Sequence, residues 1–515
     1  MKEQAIGNRL KAIGERPREK ASTFFCRFLP FVFAHRLLPI AYCLVLVGCA
    51  VGPDFVRPEP PQVKQYTSGV EPAATIPADG QVQHFEEGAK IAADWWRLFK
   101  SSRIDAVIKE AIANNPNIQA AQASLRQSQD NLRAGYGVFF PQVDVGFDAT
   151  RQKSSLARFG EGPKSSIFNL YTLQASVSYA LDVFGGERRT VESLQAQVDF
   201  QRYAFMGTYL ALSGNIVNTV IAQAAYREQI KATDQIISIE KEQVGIAESQ
   251  VQAGTVPYSN VLSLRSQLAS VEATLPPLRQ KLSQADHLLA TLAGRAPAEW
   301  TASQIDLADI TLPGNLPLSL PSELVRQRPD ILAAEAQLHS ASANIGVATA
   351  AMFPSFTLSG AYGWSNNSLG NLVKNTSSIW NLGADVVAPI FHGGTLWFKR
   401  EAAIEAYNQS LASYRQTVLS GLAQVADTLR ALENDAEALK SQSEALSTAE
   451  ETMRLLQANF ESGTASYLQM LVADAQYSQA KIGYLQALAQ RLQDTVALFV
   501  ALGGGWWNDA DLTKR

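Results

Sequence analysis

The strongest constraint on this chain of 515 residues is that it contains one long unit twice. Residues 115–141, NPNIQAAQASLRQSQDNLRAGYGVFFP, align without a gap with 328–354, RPDILAAEAQLHSASANIGVATAAMFP. Pro116/Pro329, Ile118/Ile331, Ala121/Ala334, Leu125/Leu338, Asn131/Asn344 and Pro141/Pro354 coincide. Further on, AGTVPYSNVL (253–262) matches SGTASYLQML (462–471), and LAG (292–294) matches LGG (502–504). Three matches in the same order mark a duplicated unit of domain size, unlike a solenoid of short repeats.

Each unit has the same grammar. A helix is expected over 103–138 and over 322–352, with Pro141 and Pro354 unable to continue it. Period-2 alternation follows. Val143, Val145, Phe147 and Ala149 alternate with small or polar residues, as do Tyr171, Leu173, Ala175 and Val177. The second unit offers Phe356, Leu358, Tyr362 and Trp364, then Trp380, Leu382, Ala384 and Val386. These read as two hairpins of long strands, 142–182 and 355–389, apolar on one face, with aromatics toward the strand ends as membrane interfaces require. Their polar loops are expected at 151–168 and 365–377. The same pattern suits a soluble sandwich hairpin.

After each hairpin comes a helical run of about 66 residues, 187–252 and 395–461, or ~100 Å if continuous. In the second run Ile404, Tyr407, Leu411, Tyr414, Val418, Leu422, Val425, Leu429, Leu432, Ala436 and Leu439 step by 3 and 4, a heptad seam with a stutter at 414–418–422. Gly254 and Gly463 then mark turns, and shorter helices return. The first return helix, 258–294, contains Pro276-Pro277, which predicts a kink or break; the second has no proline there.

Four membrane strands cannot close a barrel, because hydrocarbon tolerates no open sheet edge and the smallest single-chain barrels have eight strands. Copies must therefore share one: two would give eight strands and a filled interior, three would give twelve and a lumen.

The N-terminus adds an address. Residues 1–36 are basic, 37–48 are apolar but too short to span a bilayer, and Leu46-Val47-Gly48-Cys49 resembles a bacterial lipobox. An ordinary signal with a chance cysteine is the alternative. The lipobox makes Cys49 a covalent lipid anchor, and Ala50 after it points to the outer membrane of a Gram-negative envelope. Cys26 and Cys43 fall in the leader, so the mature chain has no disulfide or thiolate metal site. Removing the leader leaves 36 Lys and Arg against 45 Asp and Glu, and an acidic chain without a basic stripe argues against nucleic acid. The chain divides into a signal (1–48), a lipidated Pro/Gly-rich tether (49–93), a first repeat (94–294), a joint (295–321), a second repeat (322–504) and a tail (505–515).

The lipobox, DWWRLF (94–99), LPSELVRQRPDI (320–331), the paired FP stops and ALGGGW (501–506) together resemble the TolC/OprM outer-membrane factor family, most closely its NodT-type efflux lipoproteins. The resemblance covers essentially all of 49–507. It implies a mixed α and β membrane protein: a homotrimer with a twelve-stranded barrel, a periplasmic α-helical coiled-coil tunnel, and an equatorial belt from 94–102, 312–321 and the C-terminus. It further implies a passive exit duct for drugs or other small molecules, docked to a periplasmic adaptor (membrane fusion protein) and an inner-membrane pump of RND type. No cofactor is implied beyond the lipid on Cys49.

The family closes its periplasmic mouth at a motif reading roughly Tyr-Leu-x-x-Leu-Asp-Ala-Gln. Here 467–474 read YLQMLVAD, so Leu468 matches the constricting leucine and Val472 replaces the aspartate. Leu468 and Val472 share a helix face, which points to a more apolar gate; filling a coiled-coil seam is the alternative. Asp474 lies too far round the helix to substitute. Gly254 and Gly463 match the family's adaptor-contact tips, a role compatible with plain turn chemistry.

Catalysis finds little support. His35, His84, His287, His339 and His392 show no ligand spacing, GEGPKS (160–165) lacks phosphate-loop spacing, and Trp95, Trp96, Trp506 and Trp507 read as belt packing. A type I protein-secretion duct and a non-conducting coiled-coil lipoprotein are the alternatives to drug efflux.

Overall fold

A computed structural model describes residues 50–69, 72–155, 165–300 and 304–508. Cys49, the leader, most of the GEGPKS stretch and the end of the tail lie outside the described residues. The elements, in chain order, are β1 (His84–Glu87), α1 (Ser102–Asn114), α2 (Pro116–Gly135), β2 (Gln142–Ser155), β3 (Ser165–Leu181), α3 (Gly186–Gln252), α4 (Tyr258–Glu272), α5 (Leu275–Leu292), β4 (Asn315–Leu318), α6 (Pro321–Leu324), α7 (Pro329–Ala350), β5 (Ser355–Asn366), β6 (Ser378–Val387), α8 (Thr395–Glu461) and α9 (Tyr467–Ala501).

The expected opening helices are each two. Asn115 and Arg328 are extended because a proline follows them, and Pro116 and Pro329 start new helices, where a missing N–H costs nothing. Asn115 also caps α2, its Oδ1 accepting from the Asn117 N–H at 2.8 Å. The duplicated proline thus breaks both halves at one place.

β2, β3, β5 and β6 form one antiparallel sheet in that order. Phe147 faces Leu173, Leu173 faces Trp364, and Tyr362 faces Trp380, so the alternating apolar positions line a single face. That face is open: Val145, Trp380 and Leu382 are 75%, 73% and 80% exposed. Among the described residues, the outer edges of β2 and β6 have no strand neighbour. The first loop is shorter than expected, since the strands run on to Ser155 and back from Ser165.

α3 and α8 are 67 residues each and continuous. The seam of α8 is buried only between Tyr414 and Leu439, and it passes through Gly421, with Leu422 beside it. Ile404, Tyr407 and Leu411 above it, and Met453 and Leu456 below, stay half-buried in one copy. α9 is unbroken over 35 residues, whereas the first return helix stops at Glu272 and resumes at Leu275. Ala273 and Thr274 keep right-handed helical angles, so the prolines produce a kink and sit in the first turn of α5. The helix ends put Gly294 opposite Gly503, one residue from the LAG/LGG alignment: Arg295 N–H donates to Ala290 O, and Gly504 N–H to Phe499 O.

The main core gathers Trp95, Trp96 and Phe99, the joint (Leu312, Leu316, Leu318) and the end of α9 (Phe499, Leu502), with Trp506 and Trp507 packed on it. Trp95 stacks on Phe499 at 5.2 Å. The three segments expected to form a belt therefore make one cluster.

Residues 50–93 do more than tether. Val51 N–H donates to Phe184 O, Arg189 pairs with Asp54 at 2.6 Å, Arg57 pairs with Glu335, and Phe55 stacks on His339. Gly52 crosses Gly346 so closely that a Cβ on Gly52 would lie 2.4 Å from the Gly346 Cα. Lower down, β1 pairs parallel with β4. The Pro/Gly-rich composition reads as a tether; pairing with the joint makes the segment part of the packed body instead.

Candidate gate and helical tips

The two helical hairpins end in the same cap. Gly254 and Gly463 adopt φ of +71° and +77°, the left-handed region that glycine enters freely. Behind them Thr255 N–H donates to Gln250 O and Thr464 N–H to Asn459 O, with Gly254 donating to Val251 O and Gly463 to Phe460 O. This is a Schellman motif at each tip. Both threonine hydroxyls donate again to the same carbonyls, at 2.9 and 3.0 Å, which explains why Gly-Thr recurs as a pair. A Cβ at either glycine would meet nothing within 4 Å. The glycines are thus required by the turn, and the tips are unobstructed.

α9 starts four residues past Gly463, at Tyr467. Ser466 and Gln469 form a capping box: Gln469 N–H donates to Ser466 Oγ, and Ser466 N–H donates to Gln469 Oε1 at 2.9 Å. The next turn buries Leu471 and Ala473 inside the protomer. Leu468 is half-buried and Val472 is 43% exposed, so Val472 lies outside the seam within one copy. Tyr467 Oη donates to Glu242 Oε1 of α3 at 2.5 Å, a bond that also raises the phenol's pKa. It ties the first turn of α9 across to the other long helix. Asp474 is half-buried, and loss of solvent pushes its carboxyl upward; it sits beside Ala473, away from Val472.

Sequence reasoning missed a polar centre further along α9. Arg491 is fully buried; its Nε donates to Gln83 Oε1 at 2.9 Å and its Nη2 to Thr75 Oγ1 at 3.1 Å. Gln83 in turn donates to Pro313 O and to Thr495 Oγ1. Beside it Asp435 of α8 is pushed up to about 7, first by burial and then by the neighbouring Asp494 carboxylate, with Arg491 opposing. The centre fastens the N-terminal segment and the joint to the long helices. An arginine between Gln490 and Leu492, in the register of an otherwise apolar helix face, is the signal that could have found it.

His339 Nε2 lies 2.9 Å from Glu192 Oε1, and among the described residues no group of three or more His, Cys, Asp or Glu could hold a metal ion.

Comparison with known proteins places this geometry. The chain is 29% identical over 483 residues to the pyoverdine export outer membrane protein OpmQ of Pseudomonas putida, covering 92% of this chain and 98% of that one. It is 26% identical over 486 residues to the cation efflux system protein CusC of Escherichia coli O6:H1, covering 92% and 99%. The outer-membrane channel OprN superposes with a TM-score of 0.78 at 26% identity, covering 89% of this chain and all of that one. The model of the family described as outer membrane efflux protein matches residues 107–295 and 320–504, the two repeats. The chain belongs to the outer membrane efflux protein family.

Proposed function

We propose that three copies of this chain assemble into one twelve-stranded barrel continued by a periplasmic helical tunnel, and that this assembly is the passive outer-membrane duct of a tripartite efflux system. The observation that carries the reading is the sheet: four strands of 10 to 17 residues, an exposed apolar face and two open edges, set directly on helices of 67 residues. Such a sheet is unfinished in lipid, and twelve strands leave room for a lumen.

Within that reading each site takes a role. Leu468 and Val472 from three copies would constrict the periplasmic mouth, closing it by packing and dewetting. The unobstructed tips at Gly254 and Gly463 would face a periplasmic adaptor, which links the duct to an inner-membrane pump of RND type. Ala50 rests against Gly185 at the base of the sheet, so a lipid on Cys49 would enter the membrane beside the barrel. Relatives of similar identity are named for pyoverdine export and for cation efflux, which supports a duct whose cargo, drugs or other small molecules, is chosen by the pump.

Reconstitution of the purified protein in planar bilayers tests the reading. Discrete, long-lived conductance steps are expected, with larger or more frequent openings when Leu468 and Val472 are both alanine. A protein that inserts but conducts nothing would overturn it.

A further inference from the structure

The charged side chains of the sheet are sorted by sign onto its two faces. The acids are Asp144 and Asp148 of β2 and Asp385 of β6; the cations are Arg151 and Lys153 of β2. Side chains alternate along a strand, so both cations share the apolar face of Val143, Val145, Phe147 and Ala149. Asp144 and Asp148 take the other face, opposite Ser176 and Thr172 of β3. Pairing with Thr357 gives Asp385 that same side. In a closed barrel the acids would line the lumen and the cations would point outward.

Height places the cations. From Leu181 at the base to Tyr171, β3 climbs ~34 Å along its length. At ordinary barrel tilt that is roughly 25 Å along the axis, the height of an outer-membrane barrel's apolar band. Tyr171 faces Ala149 on one side and Asn366 on the other, with Trp364 the next outward position below on β5. The following outward pair, Arg151 with Asn169, therefore stands just past the band, and Lys153 with Ile167 comes next. Both cations are exposed. Among the described residues neither has an ion pair or a side-chain hydrogen bond, whereas Arg188 and Arg189 at the base each pair with an acid. The long helices leave from the base, so the cations mark the end of the sheet remote from the periplasm.

We propose that Arg151, Lys153 and Asn169 bind the phosphorylated sugar headgroup of lipopolysaccharide, the lipid of the outward leaflet of a Gram-negative outer membrane. This adds a lipid partner to the duct reading and rests on it. Arginine takes a phosphate through two parallel bonds and lysine takes one as a point charge. The two stand ~7 Å apart along the strand, so each reaches its own oxygens. A soluble anion would gain nothing from the apolar surface directly below. A lipid engages Ile167, Tyr171 and Trp364 with its chains while its headgroup meets the cations. The depth selects the leaflet, since the outward positions at the base, Leu181, Phe356 and Val386, are apolar.

The test uses the full-length protein purified in mild detergent, with bound lipid counted by native mass spectrometry. The probes are lipid A carrying its phosphates and the same lipid with the phosphates removed. Phosphorylated lipid A should be retained and the stripped lipid should not. Arg151→Gln with Lys153→Gln should weaken retention at least ~10-fold, since each surface cation changes binding to anionic lipid about fivefold. Exchanging the two, Arg151→Lys with Lys153→Arg, should keep it, and Asp144→Asn with Asp148→Asn in the lumen should leave it unchanged. Equal retention of both lipids, full retention by the glutamine variant, or displacement by an equal concentration of inorganic phosphate would overturn the surface. Planar-bilayer conductance separates the two readings. A wild type that conducts but does not distinguish the lipids loses this surface and keeps the duct; one that neither binds lipid A nor conducts loses both.

Discussion

The two return helices descend from one duplicated segment and now do different work. The first, α4 with α5, is kinked at 273–274, packs along α3 and buries only Val261 in its upper stretch. The second, α9, is continuous, packs between α3 and α8, and buries twelve residues along its length. At matching places the first helix has Ser259 and Ser263 where the second has Leu468 and Val472, and Leu282 where the second has Arg491. A helix with a long helix on either side must stay straight to serve both. One leaning on a single neighbour can bend to follow it. Duplication supplied the frame, and the number of neighbours decided which copy could take a kink and which could take a buried charge.

Moving the kink should break this division most strongly. Leu485 corresponds to Pro276, is buried and lies in the middle of α9. Leu485→Pro removes a helix hydrogen bond and a buried side chain together, and should cost upward of ~4 kcal/mol. Pro276→Ala sits in a first helical turn, and should change stability by less than ~1 kcal/mol. Thermal unfolding followed by far-UV circular dichroism separates the two outcomes; similar losses would refute the assignment of the kink to a single-neighbour helix.

The buried charge comes next. Arg491→Met keeps the length of the side chain and removes its donors to Gln83 and Thr75. The stranded acceptors and the unbalanced Asp435 should cost about 3 kcal/mol. The matching Leu282→Ala on the first return helix, half-buried, should cost about 1 kcal/mol. Limited proteolysis offers a second readout, since residues 72–83 should become cleavable in the first variant alone.

Much of this architecture was legible because it is local or periodic. The alternating strands, the long helices, the tip glycines and the effect of Pro276-Pro277 follow from side-chain period and backbone limits, which act within a few residues. The duplicated break at Pro116 and Pro329 was equally local, and was overlooked because the apolar pattern runs straight through it. What the sequence hid is held by contacts across hundreds of residues. Gln83 meets Arg491 and Thr495, Tyr467 meets Glu242, and the Pro/Gly-rich segment around 52–57 packs on α7. Composition alone reads such a segment as linker, because its partners are set by the fold.

Titration sharpens the comparison further. Asp435 has its pKa raised to about 7, so the folded protein holds this proton where the unfolded chain, near the ordinary carboxylate value, has lost it. Stability from this group is complete below about pH 4, declines as pH rises, and has gone above about pH 7. Asp435→Asn removes the dependence. The variant should gain about 1 to 2 kcal/mol on the wild type between pH 4 and pH 8, as solvent still reaches part of the pair. Denaturant midpoints at the two pH values measure it, and parallel pH profiles would show that Asp435 ionises freely.

The smallest effect on stability should accompany the largest on permeability. Leu468→Ala with Val472→Ala removes side chains that are half-buried and exposed in one copy, so unfolding should shift by less than ~1 kcal/mol. If the pair closes the mouth by apolar contact, the same change should let large antibiotics through the envelope and raise basal conductance. Ser259→Ala with Ser263→Ala, at the matching places of the kinked helix, should do neither. The contrast isolates position from fold: both pairs occupy the second and sixth residues of a return helix that follows the same glycine turn, and only one belongs to the helix held between two others. Equal leak from both pairs, or from neither, would mean that the constriction lies elsewhere on α9.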